Sequence, residues 1–212
     1  MNLDTLMGAQ VRRPSGLIGH LFGHMMARGH RSLTEWAIGL MNIQPADRLL
    51  DLGCGSGMAV QMMRGVAVSG FAVGVDYSAV MVYQAGRRNA ADVRAGRVVI
   101  LHGDVSALPF ASASYDRLSA IETFYFWPGP LACLKEARRV LRDGGLAAVA
   151  MEMSKEEDAI THKAADTAAA YGFAIYSAAE MEHMLRQAGF SQAHCVVEAG
   201  KGEGWLCALG IA

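Results

Sequence analysis

Three aspartates in this 212-residue sequence stand where short apolar runs give way to turns: Asp51, Asp76 and Asp104. Asp51 opens the turn DLGCGSG, which ends at Gly57, and its glycines at alternate positions let the backbone bend tightly and approach a ligand with no Cβ in the way. A carboxylate inside such a turn suits a cationic amine more than a pyrophosphate. Asp76, in GVDYS, falls about 20 residues beyond the glycines, where a carboxylate can accept both hydroxyls of a ribose. Asp104, in HGDV, is free to accept from an adenine amino group. Any one of them could be a helix cap or a solvated turn acid. All three at one kind of position argue for a shared site.

A nicotinamide-binding turn would read G-x-G-x-x-G, and the place of its last glycine is held by Met58. Two histidines four apart, His20 and His24, lie on a predicted helix and could in principle bind metal or carry a proton. A metal site wants a third ligand that the sequence does not single out, so none is expected. His162 lies in a later insert and reads first as an exposed helix residue.

The elements that must position these groups follow an alternating pattern. Apolar or β-branched runs at Arg48 to Leu52, Phe71 to Val75, Arg97 to Leu101, Tyr115 to Ile121 and Leu146 to Met151 are separated by segments of helical spacing. This predicts an α/β fold, an open doubly wound parallel sheet, with the site beyond the carboxyl ends of its strands. A helix from Met58 to about Arg64 would present its free N–H groups to that space. Leu131, Leu134, Ala137, Arg138 and Leu141 predict another helix, stopped by Asp143-Gly144-Gly145. After an alanine-rich stretch from Ala159 to Ala170, Ser177 and Glu180 form a capping box for a helix to about Ala188, closed by Gly189. Gln192 to Val197 and Gly204 to Leu209, joined by a link too short for a crossover, predict an antiparallel hairpin. Residues 1–45, with helical stretches from Leu17 to Met26 and Leu33 to Met41, read as a lid segment over one end of a domain spanning 46–212.

Composition agrees with a compact chain: 52% of residues are hydrophobic, 18% are charged, and the formal net charge is -1. This excludes a disordered chain and gives no electrostatic footprint for nucleic acid. No apolar run reaches the roughly 20 residues of a membrane span and no signal peptide is evident, so a cytoplasmic address is expected. Cys54, Cys133, Cys195 and Cys207 form no C-x-x-C pair and are expected to be reduced, mostly buried thiols. The thirteen methionines read mainly as core filling.

LLDLGCGSG from Leu49, GVDYS from Gly74, HGDVSALPF from His102, YDRLSAIETFYFWPGP from Tyr115 and EARRVLRDGG from Glu136 resemble, in order and spacing, the signature segments of class I S-adenosylmethionine-dependent methyltransferases. The likeness covers roughly residues 45–212. It implies a Rossmann-like seven-stranded sheet, six strands parallel and one antiparallel, with S-adenosylmethionine as cofactor and S-adenosylhomocysteine as product. It assigns the methionine end to Asp51 and Gly53, the ribose to Asp76 and the adenine to Asp104 and Val105. Cys54, Gly55, Gly57, Tyr77 and Gly103 complete the implied cofactor set.

In that reading Glu122, Tyr125 and Trp127 border the methyl group on the acceptor side, with His20 and His24 as candidates from the lid. Tyr125 and Trp127 could wall the acceptor and face a sulfonium through their π-systems, or pack their own loop. Glu122 is the best-placed acid to act as a base, or serves only through its backbone. A small-molecule acceptor is expected, with no nucleic acid and no membrane partner; the oligomeric state is left open. An NAD(P)-dependent oxidoreductase and a non-catalytic cofactor-binding protein are the alternatives.

Overall fold

The computed structural model describes residues 13–16, 19, 29–156, 166, 168, 173–198 and 204–212. Seven strands, β1 (Arg48–Leu52), β2 (Phe71–Asp76), β3 (Val98–His102), β4 (Tyr115–Ile121), β5 (Leu141–Met151), β6 (Gln192–Glu198) and β7 (Trp205–Ile211), make one sheet in the order β3-β2-β1-β4-β5-β7-β6. The first five pair in parallel, while β7 runs antiparallel to both β5 and β6. β7 is therefore the one reversed strand.

Helices α1 (Arg31–Leu40), α2 (Met58–Val66), α3 (Ala79–Arg88), α4 (Ala90–Arg94), α5 (Pro130–Val140) and α6 (Ala178–Gln187) flank the sheet. Coverage of both faces explains why Leu49, Leu50, Asp51 and Leu52 of β1 are all buried, where a one-sided sheet would show alternation. One apolar layer gathers Leu50, Leu52, Leu118, Phe124, Leu134 and Met151. The opposite layer gathers Leu33, Met41, Leu49, Val60, Met63 and Cys207.

Local chemistry sets the element ends. The Ser78 hydroxyl caps α3 by accepting from Met81 N–H, and Ser177 with Glu180 forms the complete capping box of α6. Pro130 takes the first turn of α5, where its missing N–H costs nothing. The buried stripe of α5 is Cys133, Leu134, Ala137 and Val140. Arg138 turns outward to Asp143 and the Gly189 carbonyl instead.

Asp143-Gly144-Gly145 does not stop that helix. The chain leaves it at Leu141, which pairs at once with Tyr115, and the two glycines lie inside β5, where the register shifts between Tyr115 and Arg117. A bulge, not a helix end, uses them. The hairpin of β6 and β7 and the first five strands otherwise lie within a few residues of expectation, β5 starting five residues early. The four cysteines are free thiols, three of them buried. Among the described residues, no helix is long and apolar enough to cross a membrane.

Candidate active site

Parallel strands β1, β2 and β4 deliver their carboxyl ends to one edge, and a cavity of about 530 Å³ lies there. Its wall includes Asp51, Gly53, Cys54, Gly55, Asp76, Tyr77, Gly103, Asp104 and Val105, all of which the sequence singled out. Glu122, Tyr125 and Trp127 line it too.

The turn after β1 is built by close approach. Gly53 has φ +71°, and a Cβ there would fall 2.1 Å from Thr123 Oγ1, so the turn and the loop after β4 can touch only through a glycine. Gly55, at φ +51°, has open space where its Cβ would be, so the main chain stays bare toward the cavity. Gly57 is absent from the wall: it precedes α2, and a Cβ would press on Ala85 and Asn89 of the neighbouring helical layer. A residue without a Cβ there lets α2 pack close against α3.

Asp76 ties β2 to that turn. One carboxylate oxygen accepts from Gly55 N–H at 2.8 Å, the other from Ser78 N–H at 2.8 Å. Each oxygen keeps a lone pair for a donor in the cavity. Burial raises the Asp76 carboxyl, and the two backbone donors oppose the rise. Asp104 accepts from the Ser106 N–H and hydroxyl through one oxygen, which holds its carboxyl below the usual range.

Asp51 is buried and pushed up to about 7, first by burial and further by the like charge of Asp76, against the hydroxyl of Ser119. No cation among the described residues offsets it. A buried acid of this kind, beside a bare turn and a carboxylate with free lone pairs, fits a ligand with an ammonium group and vicinal hydroxyls, as S-adenosylmethionine has. Beside the end of β2, Pro14 reaches the wall, its carbonyl accepting from the Ser78 hydroxyl at 2.6 Å, and Arg13 lies over the Tyr77 ring at 5.3 Å.

The other half of the cavity is aromatic and acidic. Tyr125, Phe126, Trp127 and Phe173 line it, with the Phe173 ring 5.1 Å from Tyr125 and 5.5 Å from Phe126. Glu122, just past β4, has φ +57°, and its Oε1 accepts from Glu152 N–H at 2.6 Å and from the Tyr125 hydroxyl at 3.1 Å. That hydroxyl in turn accepts from Met153 N–H at 3.0 Å. Tyr125 and Trp127 line the cavity and also pack their loop, Trp127 resting on Phe124 at 5.0 Å.

His20, His24 and His162 lie outside the described residues. Among the described residues, the histidine that lines the cavity is His30, at the start of α1, with Nε2 3.5 Å from Glu152 Oε1 and 3.8 Å from Glu122 Oε2. Burial pulls His30 down, but the two glutamates outweigh it and hold it above its ordinary value. Burial lifts Glu122 to about 7, with His30 drawing it down and Glu152 pushing it up. Neither His30 nor Glu152 was singled out in the sequence, although a signal existed. Glu122 and Glu152 each follow the last residue of a strand, and β4 and β5 pair with Ile121 opposite Ala150.

Comparison with known proteins adds the family context. The family described as "Methyltransferase domain" matches residues 50–149. An uncharacterized methyltransferase of Bacillus subtilis, YdaC, is 28% identical over 66% of this chain and 75% of its own length. The 27-O-demethylrifamycin SV methyltransferase of Amycolatopsis mediterranei is 36% identical over 55% of this chain and 43% of its own length, so the chain spans less than half of that relative. A solved S-adenosylmethionine-dependent methyltransferase from Aquifex aeolicus shares the fold, with a TM-score of 0.70 over 91% of this chain and 97% of that one, at 17% identity.

Proposed function

We propose that the chain is a class I S-adenosylmethionine-dependent methyltransferase, and that it methylates a small-molecule acceptor held in the aromatic half of the cavity, by in-line displacement. The observation that carries this reading is the continuity of the cavity. The edge with Asp51, Asp76 and Asp104 and the chamber with Tyr125, Phe126, Trp127 and Phe173 are walls of one space. Its volume of about 530 Å³ falls within the roughly 300–1,000 Å³ of small-molecule sites.

When bound, the cofactor supplies a methyl group already activated as a sulfonium, so the protein's contribution is alignment and exclusion of water. Asp51 and the bare turn at Gly53 and Gly55 would hold the amino-acid end, Asp76 the ribose hydroxyls, and Asp104 with Val105 the adenine. Tyr77, Gly103 and Cys54 border the same groups. The reading of residues 1–45 as a lid is supported, among the described residues, by the bond from the Ser78 hydroxyl to the Pro14 carbonyl. Tyr125 and Trp127 stand on the acceptor side with Glu122, whose carboxylate is fixed by two donors.

A relative named for 27-O-demethylrifamycin SV supports an acceptor of small-molecule size. The test is incubation with S-adenosylmethionine and a panel of hydroxyl- and amine-bearing aromatic compounds, reading S-adenosylhomocysteine. Turnover with members of the panel is expected. Stabilisation by NADH and not by S-adenosylhomocysteine would end the reading. Cofactor binding with no turnover on any acceptor, including proteins, would leave a cofactor-binding protein without catalysis.

A further inference from the structure

The aromatic chamber contains a donor set that methyl transfer by alignment does not use. His30 Nε2, a Glu122 oxygen and a Glu152 oxygen lie within 4.8 Å of one another, from three separate elements: the start of α1 and the ends of β4 and β5. We infer that His30, Glu122 and Glu152 form a divalent metal site of the zinc and manganese class, with its open coordination positions facing the acceptor chamber.

The distances suit one ion. Ligands bound to zinc at about 2.0–2.2 Å lie about 3.0–3.5 Å from each other, and the imidazole stands 3.5 Å from Glu152 and 3.8 Å from Glu122. The two carboxylate oxygens, within 4.8 Å of each other, complete the triangle and would draw together on an ion. One imidazole with two carboxylates matches borderline cations of the first transition row better than magnesium or calcium, which favour all-oxygen shells.

The surroundings are those of a supported ligand. Glu122 uses Oε1 for the Tyr125 hydroxyl and the Glu152 N–H, which turns Oε2 toward His30 and fixes it there. Tyr125 is held in its turn by Met153 N–H. The side chains of His30, Glu122 and Glu152 are 25%, 10% and 34% exposed and all three line the cavity, so three protein ligands would leave coordination positions for the chamber side. Trp127, 7% exposed and on the chamber wall, has an indole N–H with no acceptor among the described residues. An acceptor oxygen bound at the open metal position would sit among the same groups; this part rests on the proposed function, the metal site itself does not.

The experiment is titration of the full chain, freed of metal by a chelator, with Zn²⁺ by calorimetry and with Co²⁺ by visible absorption, in the absence of acceptor and cofactor. One ion per chain is expected, with Co²⁺ bands of a site of low coordination number and a rise in melting temperature. H30A and E152Q should abolish the bands and the rise, and Y125F should weaken binding on the order of 10- to 100-fold through the orientation of Glu122. S-adenosylhomocysteine should still stabilise each variant, which shows that the fold and the cofactor end are intact. No binding, or binding that H30A and E152Q leave unchanged, overturns the site. Because no acceptor is present, that result would leave the methyl-transfer reading standing, and a failed acceptor screen would leave the metal site standing.

Discussion

The Ser119 hydroxyl on β4 donates to Asp51 Oδ1 on β1 at 2.6 Å, across neighbouring parallel strands and out of contact with solvent. That bond is too little to make the buried carboxyl an ordinary acid, since Asp51 is held at about 7 against its usual 3.8. Between these two values the folded chain binds a proton that the unfolded chain releases. Stability from this group is therefore greatest at the acid end of the window and is lost as pH rises through 7. Replacing Asp51 with Asn removes the titration. Relative to D51N, the ligand-free protein should lose about 2 kcal/mol between about pH 5 and pH 8 in urea unfolding. A difference between the two proteins that stays constant across the range would contradict the buried-acid assignment.

Asp76 links the turn after β1 to the start of α3 through two backbone donors. In D76N the charge goes while the side-chain volume stays. Affinity for S-adenosylhomocysteine should fall by about 1.5–3 kcal/mol, the usual contribution of hydrogen bonds to a charged group. Calorimetry that returns an unchanged Kd would move the ribose elsewhere.

Gly53 and Thr123 meet at a distance that excludes any side chain at residue 53. G53A should destabilise the protein by about 2 kcal/mol or more, through the left-handed φ and the overlap together. Adding T123G removes the overlap and not the φ cost, so a double-mutant cycle should recover part of the loss. Strict additivity would mean that the two loops do not touch.

Ser177 serves as a control away from the cavity. S177A removes the hydroxyl that caps α6 and should cost about 1 kcal/mol in denaturant unfolding, with no change in affinity for S-adenosylhomocysteine. A loss of affinity would tie α6 to the site.

The strand pattern and the aspartates were legible because each depends on neighbours in sequence. Arg48 to Leu52 and Tyr115 to Ile121 match their strands at both ends, since burial on both faces makes such runs continuous. Asp51, Asp76 and Asp104 announce themselves by standing after such runs. His30 carries no such mark, and Glu152, although it follows a strand run as they do, gives no sign in sequence of its partners. Both reach Glu122 only because β4 lies between β1 and β5, which is a fact of sheet order, and because α1 packs across that edge. Likewise the doublet Gly144-Gly145 looks the same after a helix as inside a bulged strand. Only pairing with Tyr115 distinguishes the two.

Glu122 adopts a left-handed backbone, φ +57°, where asparagine and glycine are at home and most residues are not. The turn after β4 therefore does not depend on an acid at this position for its shape. Exchange for asparagine would suit the bend, while its side chain, one methylene shorter, would give up the carboxylate contacts to Tyr125 and the Glu152 N–H. Residue 122 thus separates the backbone that frames the chamber from the carboxylate that ties the ends of β4 and β5 together.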